Sequence, residues 1–364
     1  MAEGRTAEGR TIRVAIIGGD GIGPEVTAAT LPVLTAAAAL DGAAVAAEQF
    51  DWGGEHYLRT GRAMPGDGAE LLRRFDGVLF GAVGRPDVPD HELIWGLILG
   101  LRQELGLALN LRPAQFWPGA RSPLARPEGI DLMIVRENTE GEYAGIGGRS
   151  QQGRPGEVAV EVAVHSRTAI EKIARYSFEL ARRRRGALAL VTKSNVLRYG
   201  YTLWDEVTGQ VAAGYPDVSY EVVLADAMAA RMVERPAGLD VVLCSNLFGD
   251  VLSDLACGLT GGLGLAPSAN VSYDQSAPGV YEPVHGSAPD IAGRGVANPC
   301  ACALSAAMLA DELDLPRAAM AIRAAVAASL ARPECRTPDV GGTARTSEVA
   351  AALLAHVTAG GSGS

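Results

Sequence analysis

Two carboxylates four residues apart, Asp250 and Asp254, lie in the stretch DVVLCSNLFGDVLSDLACG, Asp240 to Gly258. The apolar run from Val241 to Cys244 predicts a short buried strand. Ser245 and Asn246 supply turn and N-cap chemistry, and Leu247, Val251, Leu252 and Leu255 then recur at helical spacing. Both acids therefore share one face of the first helical turns, where like charges cost an isolated helix roughly 0.2–0.5 kcal/mol. Two readings are open on this stretch alone. The acids are solvated and favoured by the helix dipole, or they are ligands to a divalent cation, since hard cations take carboxylate oxygens.

Four other places carry chemistry-capable side chains. Arg102 and Arg112 flank a helix-to-strand transition in WGLILGLRQELGLALNLRP, and Arg136 ends the apolar run of LMIVRENTEGEY. A guanidinium fork suits bidentate carboxylate binding, so three of them could converge on a dicarboxylate, although a single arginine is more often a surface ion-pair partner. Tyr143 sits in a glycine-flanked loop and could relay a proton, or simply pack its ring. Lys193 follows a buried strand in LALVTKSNVLRYG, and Lys172 is the only other lysine in an arginine-rich chain. Keeping lysine there suggests a need for a deprotonatable amine, against the commoner solvated strand end. Asp226, in VVLADAMAARM, ends a strand before an alanine-rich helix, where its plain role is an N-cap.

The elements that must position these groups alternate. IRVAII from Ile12 is a strand, GGDGIG a glycine turn, and the following segment a helix opened by Pro24. Further strands are expected at Val45–Phe50, Gly77–Gly81, Leu132–Arg136, Leu188–Thr192, Val218–Leu224 and Val241–Cys244, with a helix at Gly68–Arg74 and other helical segments between. Such alternation predicts an α/β architecture with much parallel pairing. Gly145 to Val164 breaks the pattern, and the strict alternation of EVAVEVAVH reads as a ribbon-bearing arm. Residues 2–11, with AEGRT twice, and the Gly/Ser run from Gly360 to Ser364 read as flexible ends.

At 364 residues and 48% hydrophobic, the chain can bury one large or two intimate cores. A net charge of −10 argues against nucleic acid, and the basic run Arg182 to Arg185 reads as a solvated helix end. Five cysteines without paired CxxC spacing indicate reduced thiols in a cytoplasmic protein. No 18-residue apolar run predicts a membrane span.

RENTEGEY, TKSN, LADAMA, SNLFGDVLSDLACGLTGGLGLAPSAN, EPVHGSAPDIAGRGVANP and TPDVGGTART together resemble the metal-dependent decarboxylating dehydrogenases of the isocitrate/isopropylmalate dehydrogenase family. The resemblance runs from about Ile12 to Val357. FDWGGEHYLRTGRAMP, FGAVGRPDVPDHELIWG and TLWDEV are most similar to its tartrate/D-malate branch. It implies the family's two-domain α/β fold with a large mixed sheet, not a Rossmann fold. Residues 1–107 and 260–364 would form a large cofactor-binding domain. Residues 108–259 would form an inserted small domain carrying substrate and metal groups, the dimer interface and an arm at about 145–165.

The same resemblance assigns roles. Asp250 and Asp254 would hold Mg²⁺ or Mn²⁺ together with Asp226 of a second subunit, and K⁺ is a further candidate ion. Lys193, also from that subunit, would help deprotonate the alcohol as hydride passes to NAD. Tyr143 would reprotonate after decarboxylation, while Arg102, Arg112 and Arg136 hold the departing carboxylate. Ile22, Asn195, Glu282, His285, Gly286, Ser287, Ala288, Asp290 and Asn298 would bind the cofactor, with Asp290 favouring NAD over NADP. Trp95, Ile98 and Leu99 would line the substrate pocket and offer no partner for a third carboxylate. A malate- or tartrate-type 2-hydroxy dicarboxylate is the expected substrate, with 3-isopropylmalate or another 3-alkylmalate as the alternative. The tartrate-like branch tends to carry Ser and Lys where this chain has Leu97 and Gly100, which implies a roomier, more apolar pocket.

Overall fold

Short runs of Val, Ile and Leu between amphipathic segments become one ten-stranded sheet in the computed structural model, which describes residues 9–360. The first seven strands are β1 (Thr11–Gly19), β2 (Ala44–Phe50), β3 (Gly77–Ala82), β4 (Leu109–Gln115), β5 (Asp131–Glu137), β6 (Gly141–Ser150) and β7 (Val158–Val164). The rest are β8 (Ala187–Thr192), β9 (Ser219–Leu224), β10 (Val241–Cys244), β11 (Pro267–Val271) and β12 (Gly279–Pro283). Across the large sheet the order is β2-β1-β3-β12-β11-β4-β5-β10-β8-β9. Parallel blocks at either end meet through the antiparallel pairs β12/β11, β11/β4 and β4/β5. The sheet is mixed, as the fold expectation required.

Register sorts the central side chains. Glu282 lies opposite Ser268, Asn270 opposite Asn110, and Asn110 opposite Arg136. Because side chains alternate with period two, these residues and Arg112 share one face. Tyr281, Ala269, Leu111 and Met133 share the other. The helix Asn246–Thr260 packs on β4 and β5, which brings Asp250 over the arginines. β6 and β7 form a separate ribbon with Val158, Val160 and Val162 all exposed.

Several local expectations change. β11 and β12 were not anticipated, because PSANV and GVYEP are short and carry Pro or Gly. Their prolines sit at strand ends, where a missing donor is tolerated, and Pro267 pairs with Pro283. Ser245 is the N-cap residue, but its hydroxyl pairs with that of Tyr201 at 2.8 Å rather than with its own helix. Asp226 lies inside the first turn of the helix Ala225–Glu234, so it is not the cap. The basic run is not simply solvated: Arg184 reaches the buried Asp240 at 2.8 Å and Asp131 at 2.9 Å. Residues 2–8 of the expected leader and residues 361–364 of the tail lie outside the described residues.

Candidate active site

The site is built from the helix Gly100–Glu104, the sheet strands β4, β5 and β12, the ribbon strand β6 and the first turns of Asn246–Thr260. A cleft of about 640 Å³ is lined by Trp95, Ile98, Leu99, Arg102, Arg112, Arg136, Tyr143, Asp250, Glu282, His285 and Gly286, among others. Asp250 is its hub. Arg136 donates to Asp250 Oδ1 at 2.6 Å, Arg112 to the same oxygen at 3.2 Å, and the Tyr143 hydroxyl to Oδ2 at 2.9 Å. Burial would push the Asp250 carboxyl up, but Arg136, Arg112 and the Tyr143 hydroxyl more than offset this and hold it below its ordinary range. Asp254 goes the other way: burial raises it, Arg112 opposes, and the neighbouring Asp250 charge adds to the rise. The repulsion expected at this spacing is therefore present, and it falls mainly on Asp254.

Arg136 is 1% exposed, which is tolerable because every branch of its guanidinium is engaged. Its Nε and one terminal nitrogen donate to Asn246 Oδ1 at 3.0 and 2.7 Å, and its carbon lies 5.4 Å from the centre of the Tyr143 ring. Burial and the nearby Arg112 pull its pKa down to about 9, so it remains a cation at neutral pH. Burial and then Asp250 push the Tyr143 hydroxyl up to about 12, so it is protonated at neutral pH and able to donate.

Arg102 lines the same cleft but has a different partner. It donates to Glu282 at 3.1 Å, both side chains being buried. Asn270 donates to the same carboxylate oxygen at 2.8 Å and accepts from Asn110 and Asn138 at 3.0 Å each, while Asn110 also donates to Ser268 at 2.7 Å. This asparagine network was invisible in the sequence because its members are scattered over three strands and a loop. Only the strand register aligns them. Removing the carboxylate in Glu282→Ala leaves Arg102 buried without its counter-charge. Expected is a loss of about 3–5 kcal/mol of stability, read from urea unfolding. An unshifted urea midpoint would contradict the pairing.

Trp95, Ile98 and Leu99 come from a π-helical turn, Ile94–Leu99, in which the widened repeat aims them at the cleft. The indole rests on Gly145, just beyond Tyr143, at φ +70°. A Cβ there would lie 2.7 Å from the indole Cη2, so glycine is required.

Similarity to known proteins bears on this geometry. The isocitrate/isopropylmalate dehydrogenase family profile matches residues 13–353. The chain belongs to that family. Within it, the chain is 46% identical over 348 residues to a probable tartrate dehydrogenase/decarboxylase of Agrobacterium vitis, covering 94% of this chain and 97% of that one. Against the decarboxylating D-malate dehydrogenase of Escherichia coli it is 45% identical, covering 94% and 98%. It is equally 45% identical to a 3-isopropylmalate dehydrogenase of Corynebacterium kroppenstedtii, covering 91% and 97%. The crystal structure of isocitrate dehydrogenase from Methylococcus capsulatus superposes with a TM-score of 0.87 at 34% identity, covering 95% and 99%.

The remaining family positions divide into two groups. On the large-sheet side, the Ile22 amide donates to the Ser287 carbonyl at 2.8 Å, and Asn298 donates to Asp339 at 3.0 Å. The buried His285 Nε2 has no hydrogen-bond partner, and the space beside Gly286 is open. Ala288 holds φ +41°, while Asp290 is exposed. An unmatched ring nitrogen beside an uncovered glycine loop suits a polar ligand of dinucleotide type. The second group is Lys193, Asn195 and Asp226: Lys193 donates to Asp226 at 2.6 Å, and Asn195 is exposed on the same turn. None of these three lines the cleft. Among the described residues, no cluster of three His, Cys, Asp or Glu gathers within one chain. The donor set of Asp250 and Asp254, hard oxygens with Asp254 about half exposed, nonetheless suits a divalent cation.

The roomier pocket expected from Leu97 and Gly100 is not found. Leu97 is fully buried in the core, Gly100 lies against the Trp95 carbonyl, and neither lines the cleft.

Proposed function

We propose that this protein is an NAD-dependent, Mg²⁺- or Mn²⁺-dependent dehydrogenase that oxidises and decarboxylates a malate-type 2-hydroxy dicarboxylate, D-malate or tartrate. The convergence of Arg112, Arg136 and Tyr143 on Asp250, inside a cleft walled by Trp95, carries this reading. Two arginines and a carboxylate side by side offer one end of a diacid to cations and the other to a metal. A bound metal would supply Lewis-acid polarisation of the hydroxyl and its neighbouring carboxylate, and bound NAD would supply the hydride acceptor.

This chain's groups do the rest. Arg102, Arg112 and Arg136 orient the carboxylate that leaves as carbon dioxide. Lys193 from a second copy of the chain takes the hydroxyl proton during oxidation. Tyr143, whose hydroxyl keeps its proton at neutral pH, returns that proton from its Oη to the carbon that lost carbon dioxide. The metal ligands are Asp250 and Asp254 with Asp226 from a second copy of the chain. The exposed valine face of the ribbon supports such a homodimer, because Val158, Val160 and Val162 lack cover in one chain. The two sheet blocks act as lobes meeting at the β4/β11 seam, with residues 108–259 as the inserted one. Four buried free cysteines support a reducing, cytoplasmic setting. Among the described residues, no helix is long and apolar enough to cross a membrane.

Because identities to the tartrate, D-malate and 3-isopropylmalate enzymes are nearly equal, the pocket must choose. Trp95 over Gly145 fills the space an alkyl branch would need, which favours the smaller diacids. Steady-state NADH formation on D-malate, the tartrate isomers and 3-isopropylmalate tests this. The expected kcat/KM is highest for D-malate or a tartrate, and a preference for 3-isopropylmalate would sink the proposal.

A further inference from the structure

On the reverse face of the sheet, directly behind the active-site cleft, lies a second cavity of about 470 Å³. Its floor alternates with catalytic strand positions, taking Leu111 beside Arg112, Ala269 beside Ser268 and Tyr281 beside Glu282. The helix Arg167–Arg183 forms one wall and the helix Cys300–Glu312 the other, so the cavity straddles the β4/β11 seam. Leu180, Leu304 and Met308 make these walls apolar. The volume lies within the range of roughly 300–1,000 Å³ typical of small-molecule sites.

One end is different. Tyr281 is 1% exposed, and its hydroxyl has no hydrogen-bond partner. Its ring lies where Gly279 has no side chain, since a Cβ there would fall 2.8 Å from the hydroxyl oxygen. An orphan phenol so buried is destabilising unless something completes it. Glu312, at the C-terminal turn of its helix, faces this end. Burial first, and then the Glu312 charge, push up both the Tyr281 and the Tyr176 hydroxyls. Burial likewise raises the Glu312 carboxyl, opposed by the Gln275 side chain rather than by a cation. The helix C-terminus adds partial negative charge. Arg184 and Arg323 also line the cavity, but both are already ion-paired, Arg323 with Asp311 and Arg184 with Asp131 and Asp240. At the Tyr281 end the cavity therefore offers a carboxylate, phenol oxygens and two aromatic faces, with no cation of the cavity paired to Glu312.

We propose that the rear cavity is a binding site for a small amphipathic amine, its ammonium held by Glu312 and the Tyr281 hydroxyl and its apolar body lying along Leu180, Leu304 and Met308. Carboxylates and phosphates are disfavoured by the same acids, and a purely apolar molecule would leave the Tyr281 hydroxyl unmatched. An occupant touches both helices and hence both sides of the seam.

Isothermal titration of the full-length protein with n-hexylamine, hexanoate and 1-hexanol tests this, paired with thermal melts in each ligand. Hexylamine is expected to bind saturably at one site per chain and raise Tm, with hexanoate showing neither. Glu312→Gln and Tyr281→Phe are each expected to weaken hexylamine at least about tenfold, as the loss of a charge-assisted hydrogen bond implies. Met308→Trp, which fills the apolar end, should abolish binding while the variant still melts cooperatively. Equal binding of hexanoate, absence of saturable hexylamine binding, or unchanged affinity in all three folded variants would overturn the proposal.

Discussion

Asp250→Asn abolishes metal-dependent turnover, with kcat expected to fall about a thousandfold or more, since Lewis-acid stabilisation is worth several kcal/mol. The substitution keeps the side chain's size and one oxygen, which can still accept from Arg136 or from Tyr143. Arg136 retains Asn246 Oδ1 on two of its nitrogens, so the fold survives with a modest fall in Tm. Circular dichroism should overlay that of the parent, and titration with Mn²⁺ should show weakened binding. Near-normal turnover would contradict the metal assignment.

Lys193→Met gives the second large effect and separates two half-reactions. Oxidation of the hydroxy diacid is expected to fall about 10²–10⁴-fold, the range general-base removal costs. Decarboxylation of a supplied β-keto acid should suffer far less, because that step does not need the hydroxyl proton removed. Stability should barely move: Lys193 pairs with an Asp226 side chain that is 69% exposed, and solvent screens such exposed pairs. Equal losses in both half-reactions would remove Lys193 from the oxidation step. Mixing this inactive variant with Asp250→Asn adds a topological test. If each site draws on two subunits, a mixed dimer holds one intact site, and random re-pairing in a two-fold assembly restores about a quarter of parental activity. No recovery after verified subunit exchange would place the whole site within one chain.

The α/β alternation was legible because buried strands announce themselves through β-branched runs, and most expected strands from β1 to β10 fall where the runs lie. β11 and β12 escaped because their proline and glycine content imitates a loop, although both lie in the middle of the sheet. For the site, Asp250, Tyr143 and the arginines could be found from residue type and place along the chain. Their partners could not. Nothing in the spacing of Asn110, Asn138 and Asn270 suggests that they meet, because their contact depends on antiparallel register between strands far apart in sequence. Leu97, in the π-helical turn, and Gly100, at the start of the following α-helix, both lie outside the cleft, which residue type alone does not show.

If Arg102 holds the diacid and Glu282 the coenzyme, as proposed, their bond makes the two reactants thermodynamically interdependent. Arg102 belongs to the diacid's side of the cleft and Glu282 to the strand leading into the His285 loop, yet each holds the other in place. A coenzyme that draws on Glu282 alters how firmly Arg102 is held, and a diacid that draws on Arg102 alters Glu282 by the same free energy. Such coupling must be reciprocal. The affinity of either reactant measured alone therefore differs from its affinity in the ternary complex by one shared factor, and that factor should approach unity once Glu282 is neutralised.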